Sequence, residues 1–84
     1  MRGVVFRGEK KIEVRELPEP VPGPGEVVIG IKASGLCGSD LKYYRAPIGE
    51  QGDPRRLNVR GHEPCGVIAE VGPDVSGLRV GDRV

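Results

Sequence analysis

The 84-residue chain has little of several things. It has two cysteines, one histidine, one phenylalanine and no tryptophan. Two cysteines cannot build a disulfide scaffold, which makes a reducing cytoplasm the expected setting. No apolar run approaches the ~20 residues a membrane-spanning helix needs. The N-terminal stretch Met1 to Arg7 lacks the apolar core and small-residue cleavage site of a signal peptide. Charge of one sign is also missing. Thirteen Lys and Arg oppose twelve Asp and Glu, for a net charge of +1 and no basic run, so nucleic acid is not an expected partner. A membrane is not expected either.

Turn-forming residues are abundant. Fourteen glycines and eight prolines in 84 residues imply many short elements. The length allows at most one small domain with a modest core. No internal repeat and no low-complexity tail occur. The last residues, Gly81-Asp82-Arg83-Val84, read as a turn entering a strand, which is an unusual place for a domain to stop. The expectation is therefore a truncated piece of a longer protein.

Hydropathy patterning predicts mainly strands. Val4 to Phe6 is β-prone, and Lys11 to Glu16 alternates. The turn-like Arg7-Gly8-Glu9-Lys10 between them predicts a hairpin. Pro18, Pro20, Pro22 and Pro24 make Leu17 to Gly25 an extended connector, because proline fixes φ and removes a donor. In Glu26 to Ala33, residues Val27, Ile29, Ile31 and Ala33 share one face of a strand. A short helix follows, with Ser39 or Asp40 as its cap and Leu41 and Tyr44 facing inward. Ala46 to Arg60 is polar and reads as a surface loop. Pro64 to Gly72 is a second apolar strand, with Val67, Ala69 and Val71 on its expected buried face. Pro73 to Gly77 is a turn, and Leu78 to Val84 begins another extended segment. The expected fold is mainly β, a partly closed or open barrel with one short helix.

The scarce residue types gather at glycine-bounded turns. Gly35-Leu36-Cys37-Gly38-Ser39-Asp40 and Gly61-His62-Glu63 place a thiol, an imidazole and carboxylates among glycines. Thiolate and neutral imidazole are zinc ligands, with carboxylate as an additional one. Each residue also has a plainer reading. A lone cysteine is commonly a small buried side chain, but the flanking glycines allow a sharp bend and close approach. His62 is either a satisfied turn residue or a ligand whose second nitrogen a carboxylate holds. Asp40 is the natural candidate for that carboxylate. Glu63 is either a solvated loop residue or a further ligand. Ser39 is a helix cap, or a hydroxyl that bonds an oxygen held by the metal. Cys65, at the start of an apolar strand, reads as core, and nothing demands a Cys37–Cys65 disulfide. Cys37 and His62 are 25 positions apart, so only the fold can assemble the site. A catalytic zinc takes three protein ligands and one open position. Cys37 and His62 supply two, and Glu63 is the candidate third.

These motifs, with Pro22 to Val28 and Val80-Gly81-Asp82-Arg83-Val84, resemble the zinc-dependent medium-chain alcohol and polyol dehydrogenases. The resemblance covers nearly all 84 residues and corresponds to the first part of the GroES-like catalytic domain. It implies that Cys37 and His62 are catalytic zinc ligands and that Glu63 is a conditional one. It implies that Asp40 orients the ligand histidine, and that Ser39 bonds the bound alcohol and starts its proton relay. In such enzymes zinc, as a Lewis acid, favours the alkoxide, and hydride passes to NAD or NADP. The implied substrate is a small alcohol, polyol or sugar, and the implied full-length protein is a homo-oligomer.

The departures point to the polyol or sugar branch. Lys42 stands where many members carry a relay histidine, and Gly38 stands where some carry an arginine. Tyr43 and Tyr44 then belong near the substrate pocket. No Gly-x-Gly-x-x-Gly stretch occurs, so the nucleotide-binding domain and third ligand are expected elsewhere, and the 84 residues alone are expected to be inactive. The competing expectation is a non-enzymatic GroES-like binding or assembly module, because fold does not decide function. A zinc-free quinone reductase ranks behind it, because those relatives usually lack the cysteine–histidine pair.

Overall fold

The computed structural model of the chain describes residues 1–47 and 59–84. Its elements are β1 (Arg2–Gly8), β2 (Lys11–Glu16), β3 (Val27–Ser34), α1 (Gly38–Arg45) and β4 (Pro64–Val71). The strands form two antiparallel pairs, β1–β2 and β3–β4. The backbone divides into two units, Met1–Pro18 with Leu36–His62, and Glu19–Gly35 with Glu63–Val84. Among the described residues no helix is long and apolar enough to cross a membrane. The stretch expected to be a surface loop, Ala46 to Arg60, lies mostly outside the described residues.

In the first unit the predicted hairpin forms. Val4 opposes Val14 and Phe6 opposes Ile12. Directly opposed residues share a face, which puts these four together and Val5 on the reverse. Val5 is 1% exposed, and Val59 bridges to it. The turn uses unusual residues. Glu9 and Lys10 both have positive φ, 50° and 62°, in a two-residue loop that normally prefers Asn-Gly. Their N–H groups donate to Ala46 O and Tyr44 O, each at 2.8 Å. Those carbonyls lie at the C-terminal end of α1, where carbonyls lack intrahelical donors. Hairpin turn and helix end thus satisfy each other.

The helix cap lies two or three residues before the expected one. Cys37, with φ −85° and ψ 153°, is the N-cap, and Asp40 is the third helical residue. The expectation that Ser39 or Asp40 would be the cap is corrected for a physical reason. The Asp40 carboxylate reaches back, and its Oδ2 accepts the Cys37 N–H at 3.0 Å. That is the reciprocal half of a capping box, which wants an acidic side chain at this third position. Lys42 and Arg45 lie in the last turn, complementing the helix dipole. Tyr44 is half-buried, but Leu41, expected to face inward, is exposed. With Phe6, Ile12, Leu36 and Asp40 they line an open cavity of about 210 Å³.

In the second unit the predicted strands pair, but their faces differ from the simple alternation. The β3–β4 register steps between Val28 and Ile29 and again between Ile31 and Ala33. Ala69 on β4 and Lys32 on β3 are the extra residues. Each bulge inserts one residue and shifts the side-chain parity beyond it. The buried positions of β4 are therefore Gly66 and Ile68, the latter 1% exposed, and not Val67, Ala69 and Val71. Ile31, opposite Gly66, is exposed. Cys65, expected in the core, is exposed and free at the bulged end of the ladder, opposite Ala33. Gly66 lets the two strands approach. A Cβ there would collide with the Gly30 carbonyl oxygen and Ile29 Cγ2. The extended segment expected from Leu78 narrows to one bridge, Arg83 to Val67. Gly66 and Val84 exchange hydrogen bonds at 2.9 and 3.1 Å, so the end of the chain covers part of the β4 edge.

Candidate metal centre

The first unit brings together residues that the sequence separates. The end of the Leu36–His62 segment returns His62 to the start of α1, where Cys37 caps the helix. The ligand-capable atoms of Cys37 and His62 lie within 4.8 Å of each other. Both cysteines are free, so the Cys37–Cys65 disulfide is absent.

Asp40 links the pair. Its side chain is almost wholly buried, with 6% exposed, whereas that of His62 is 53% exposed. Asp40 Oδ1 lies 3.6 Å from His62 Nδ1, while Oδ2 accepts the Cys37 N–H at 3.0 Å. One buried carboxylate therefore fixes the thiol-bearing turn with one oxygen and faces the imidazole with the other. A carboxylate facing Nδ1 is the arrangement that, where a histidine ligates a metal, favours coordination through Nε2.

The Cys37 thiol is prepared for the ionised form that a metal needs. Its pKa lies below the ordinary thiol value. The main cause is hydrogen bonding from the Ser39 hydroxyl. The Ser39 main-chain N–H and the His62 side chain add to it, and partial burial opposes it. Metal ligation requires thiolate and neutral imidazole, and the lowered thiol pKa lies in that direction. The donor set fits a borderline-soft divalent ion such as zinc.

Glu63 follows His62 by one peptide bond and belongs to the second unit. There its carbonyl accepts the Gly35 N–H at 2.9 Å, and its carboxylate lies against the Gly35 backbone where a Cβ would collide with it. That contact is with the flexible end of the Glu63 side chain, which can swing aside to admit a Cβ at Gly35. At Gly38 a Cβ meets nothing within 4 Å, and its φ is not positive.

Tyr44 lines the apolar cavity of the first unit, and Tyr43 lies under Arg60. The sequence reading missed Arg60. Its guanidinium carbon sits 3.5 Å from the Tyr43 ring centroid. The one available sign was an arginine immediately before Gly61-His62-Glu63.

Residues 23–84 match the alcohol dehydrogenase GroES-like domain, and the chain belongs to that family. An uncharacterised zinc-type alcohol dehydrogenase-like protein of Escherichia coli, YdjL, is 44% identical over 98% of the chain, which covers 21% of that protein. L-threonine 3-dehydrogenase of Pyrococcus furiosus is 46% identical over 86% of the chain, again 21% of its own length. Among solved structures, 2R,3R-butanediol dehydrogenase of Bacillus subtilis matches 98% of the chain and 26% of its own, with a TM-score of 0.81 and 33% identity. The chain thus spans about a fifth of the length of these curated relatives, in the GroES-like part.

Proposed function

We propose that these residues are the N-terminal portion of the GroES-like catalytic domain of a zinc-dependent oxidoreductase. The enzyme moves hydride between an alcohol, polyol or sugar and NAD or NADP. The observation that carries this reading is the Cys37–Asp40–His62 arrangement, in which one buried carboxylate orders both candidate ligands. Cys37 and His62 hold zinc, and Glu63 supplies a carboxylate as a third or exchangeable donor. Zinc bound there acts as a Lewis acid on the alcohol oxygen. Asp40 keeps the His62 ring in its ligating orientation. Ser39 lowers the Cys37 pKa, and its hydroxyl at the helix start would take the alcohol's hydrogen bond and begin the relay that carries the proton away. A non-enzymatic module would leave this ordered pair without a role.

The 84 residues contain no Gly-x-Gly-x-x-Gly run, so the nicotinamide site comes from outside them and the isolated chain does not turn over alcohol. The free thiols suit a reducing cytoplasm. The longer polypeptide acts as a homo-oligomer, as the family resemblance implies. Cys37→Ala in that longer polypeptide tests the assignment. Zinc content and NAD(P)-dependent alcohol oxidation should both fall to background, and retained turnover would refute it.

A further inference from the structure

We propose that Arg60 is a specificity-determining residue of this site and that it binds an oxyanion, a phosphomonoester or a carboxylate, carried by the alcohol substrate. The assignment rests on the alcohol-oxidising reading above and narrows its substrate class.

Arg60 is half-buried, and its Nε is shut off from solvent with no hydrogen-bond acceptor. Among the described residues its one contact of note is the Tyr43 ring. A ring face attracts a cation without neutralising it. Among the described residues the buried Nε meets no acceptor; an unpaired buried donor is costly, and an arriving oxyanion would recover that cost. Asp40, on the same helix as Tyr43, is already committed, because it serves the Cys37 N–H and faces His62.

Placement ties this cation to the site. Arg60 precedes His62 by two residues. Tyr43 lies three positions after Asp40 on α1, and residues three apart are neighbours on a helix surface. Arg60 therefore stacks on the same stretch of helix that holds the candidate ligand histidine. The planar fork of arginine, pinned by stacking, suits paired contacts to carboxylate or phosphate oxygens better than a flexible lysine does.

The test uses the longer polypeptide loaded with zinc and supplied with NAD or NADP. The probes are glycerol, glycerol 1-phosphate and glycerate. The wild type should prefer one anionic probe over glycerol in kcat/KM, and which one it prefers identifies the oxyanion. Arg60→Met, which keeps the stem against Tyr43, should reduce that preference about 10- to 100-fold, the range for a lost charge-assisted hydrogen bond. Arg60→Lys should recover part of it, and it stands in if the methionine variant does not fold. Equal loss on charged and neutral probes would make Arg60 merely structural and overturn the proposal. Calorimetric titration with inorganic phosphate separates the two claims. If no alcohol is oxidised, the functional reading fails. Phosphate binding that weakens in Arg60→Met still upholds the anion site, and absent or unchanged binding overturns it.

Discussion

Asp40 Oδ1 stands 3.6 Å from His62 Nδ1 while the other oxygen of the same carboxylate receives the Cys37 N–H at 3.0 Å. The group that completes the helix cap is thus also the one that faces the candidate ligand histidine. Asp40→Asn separates the two duties. The amide still offers an oxygen to the Cys37 N–H, but it loses the charge facing the imidazole. Zinc affinity should fall about 10- to 100-fold, as is typical when a ligand's supporting partner is lost, with the melting temperature nearly unchanged. Asp40→Ala should add a loss of about 1 kcal/mol from the helix end. Competition with a chromophoric chelator, beside thermal denaturation, reads both. Wild-type zinc affinity in Asp40→Asn would remove Asp40 from the site.

Ser39 is the leading cause of the lowered Cys37 pKa. In metal-free protein carrying Cys65→Ser, the rate of alkylation by iodoacetamide reports Cys37 alone, because thiolate is the reactive form. Its pH midpoint should lie below that of an ordinary thiol and move up in Ser39→Ala. The linked effect on stability has a definite sign. A thiol whose folded pKa is depressed contributes fully above the unfolded value, and that contribution fades as pH falls through the lowered folded value. An unchanged midpoint in Ser39→Ala would remove the hydroxyl as the cause.

Alternation of residue type exposed the β1–β2 hairpin and the existence of β3 and β4, because each is short and bounded by turn residues. It could not show the extra residues at Lys32 and Ala69. A bulge leaves composition and alternation intact while changing which face each residue occupies. That is why Ile68 is buried and Val67 is not, and why Cys65 is exposed. The site divides in the same way. Cys37, Asp40 and His62 stand out at glycine-bounded turns, but the 25-position separation of Cys37 and His62 carries no distance information. Their convergence was legible only through resemblance to a family. The Arg60–Tyr43 stack joins two loosely spaced residues of common type and left no pattern to read.

The hairpin turn is held in a conformation its residues do not favour. Glu9 and Lys10 both occupy the left-handed region, which costs side-chain-bearing residues about 1 kcal/mol or more each. The pair Glu9→Asn and Lys10→Gly suits that geometry and keeps the N–H groups that donate to Ala46 and Tyr44. The double variant should be more stable by about 0.5–1 kcal/mol, measured by urea denaturation with unchanged slope. A loss of stability would mean that the two side chains make contributions of their own.

Two glycines should respond in opposite ways to the same added methyl group. Gly38 occupies the first position of α1, with open space around it and no positive φ. Gly38→Ala should therefore be neutral or stabilising by up to about 1 kcal/mol, from helix propensity. At Gly66 the new carbon would strike the Gly30 carbonyl oxygen and Ile29 Cγ2, where backbone offers no easy retreat. Relief requires the β3–β4 pair to spread beside Ile68, the buried side chain of that unit. Overpacking of this kind costs about 1–3 kcal/mol, a large share of the stability of a small domain. Gly66 also exchanges hydrogen bonds with Val84, so spreading the pair should loosen the chain end along β4. Amide exchange should accordingly show faster exchange at Gly66 and Val84 in a position-66 alanine variant, and no such change in Gly38→Ala. Equal protection in the two variants would mean that the strands can separate at position 66 without strain.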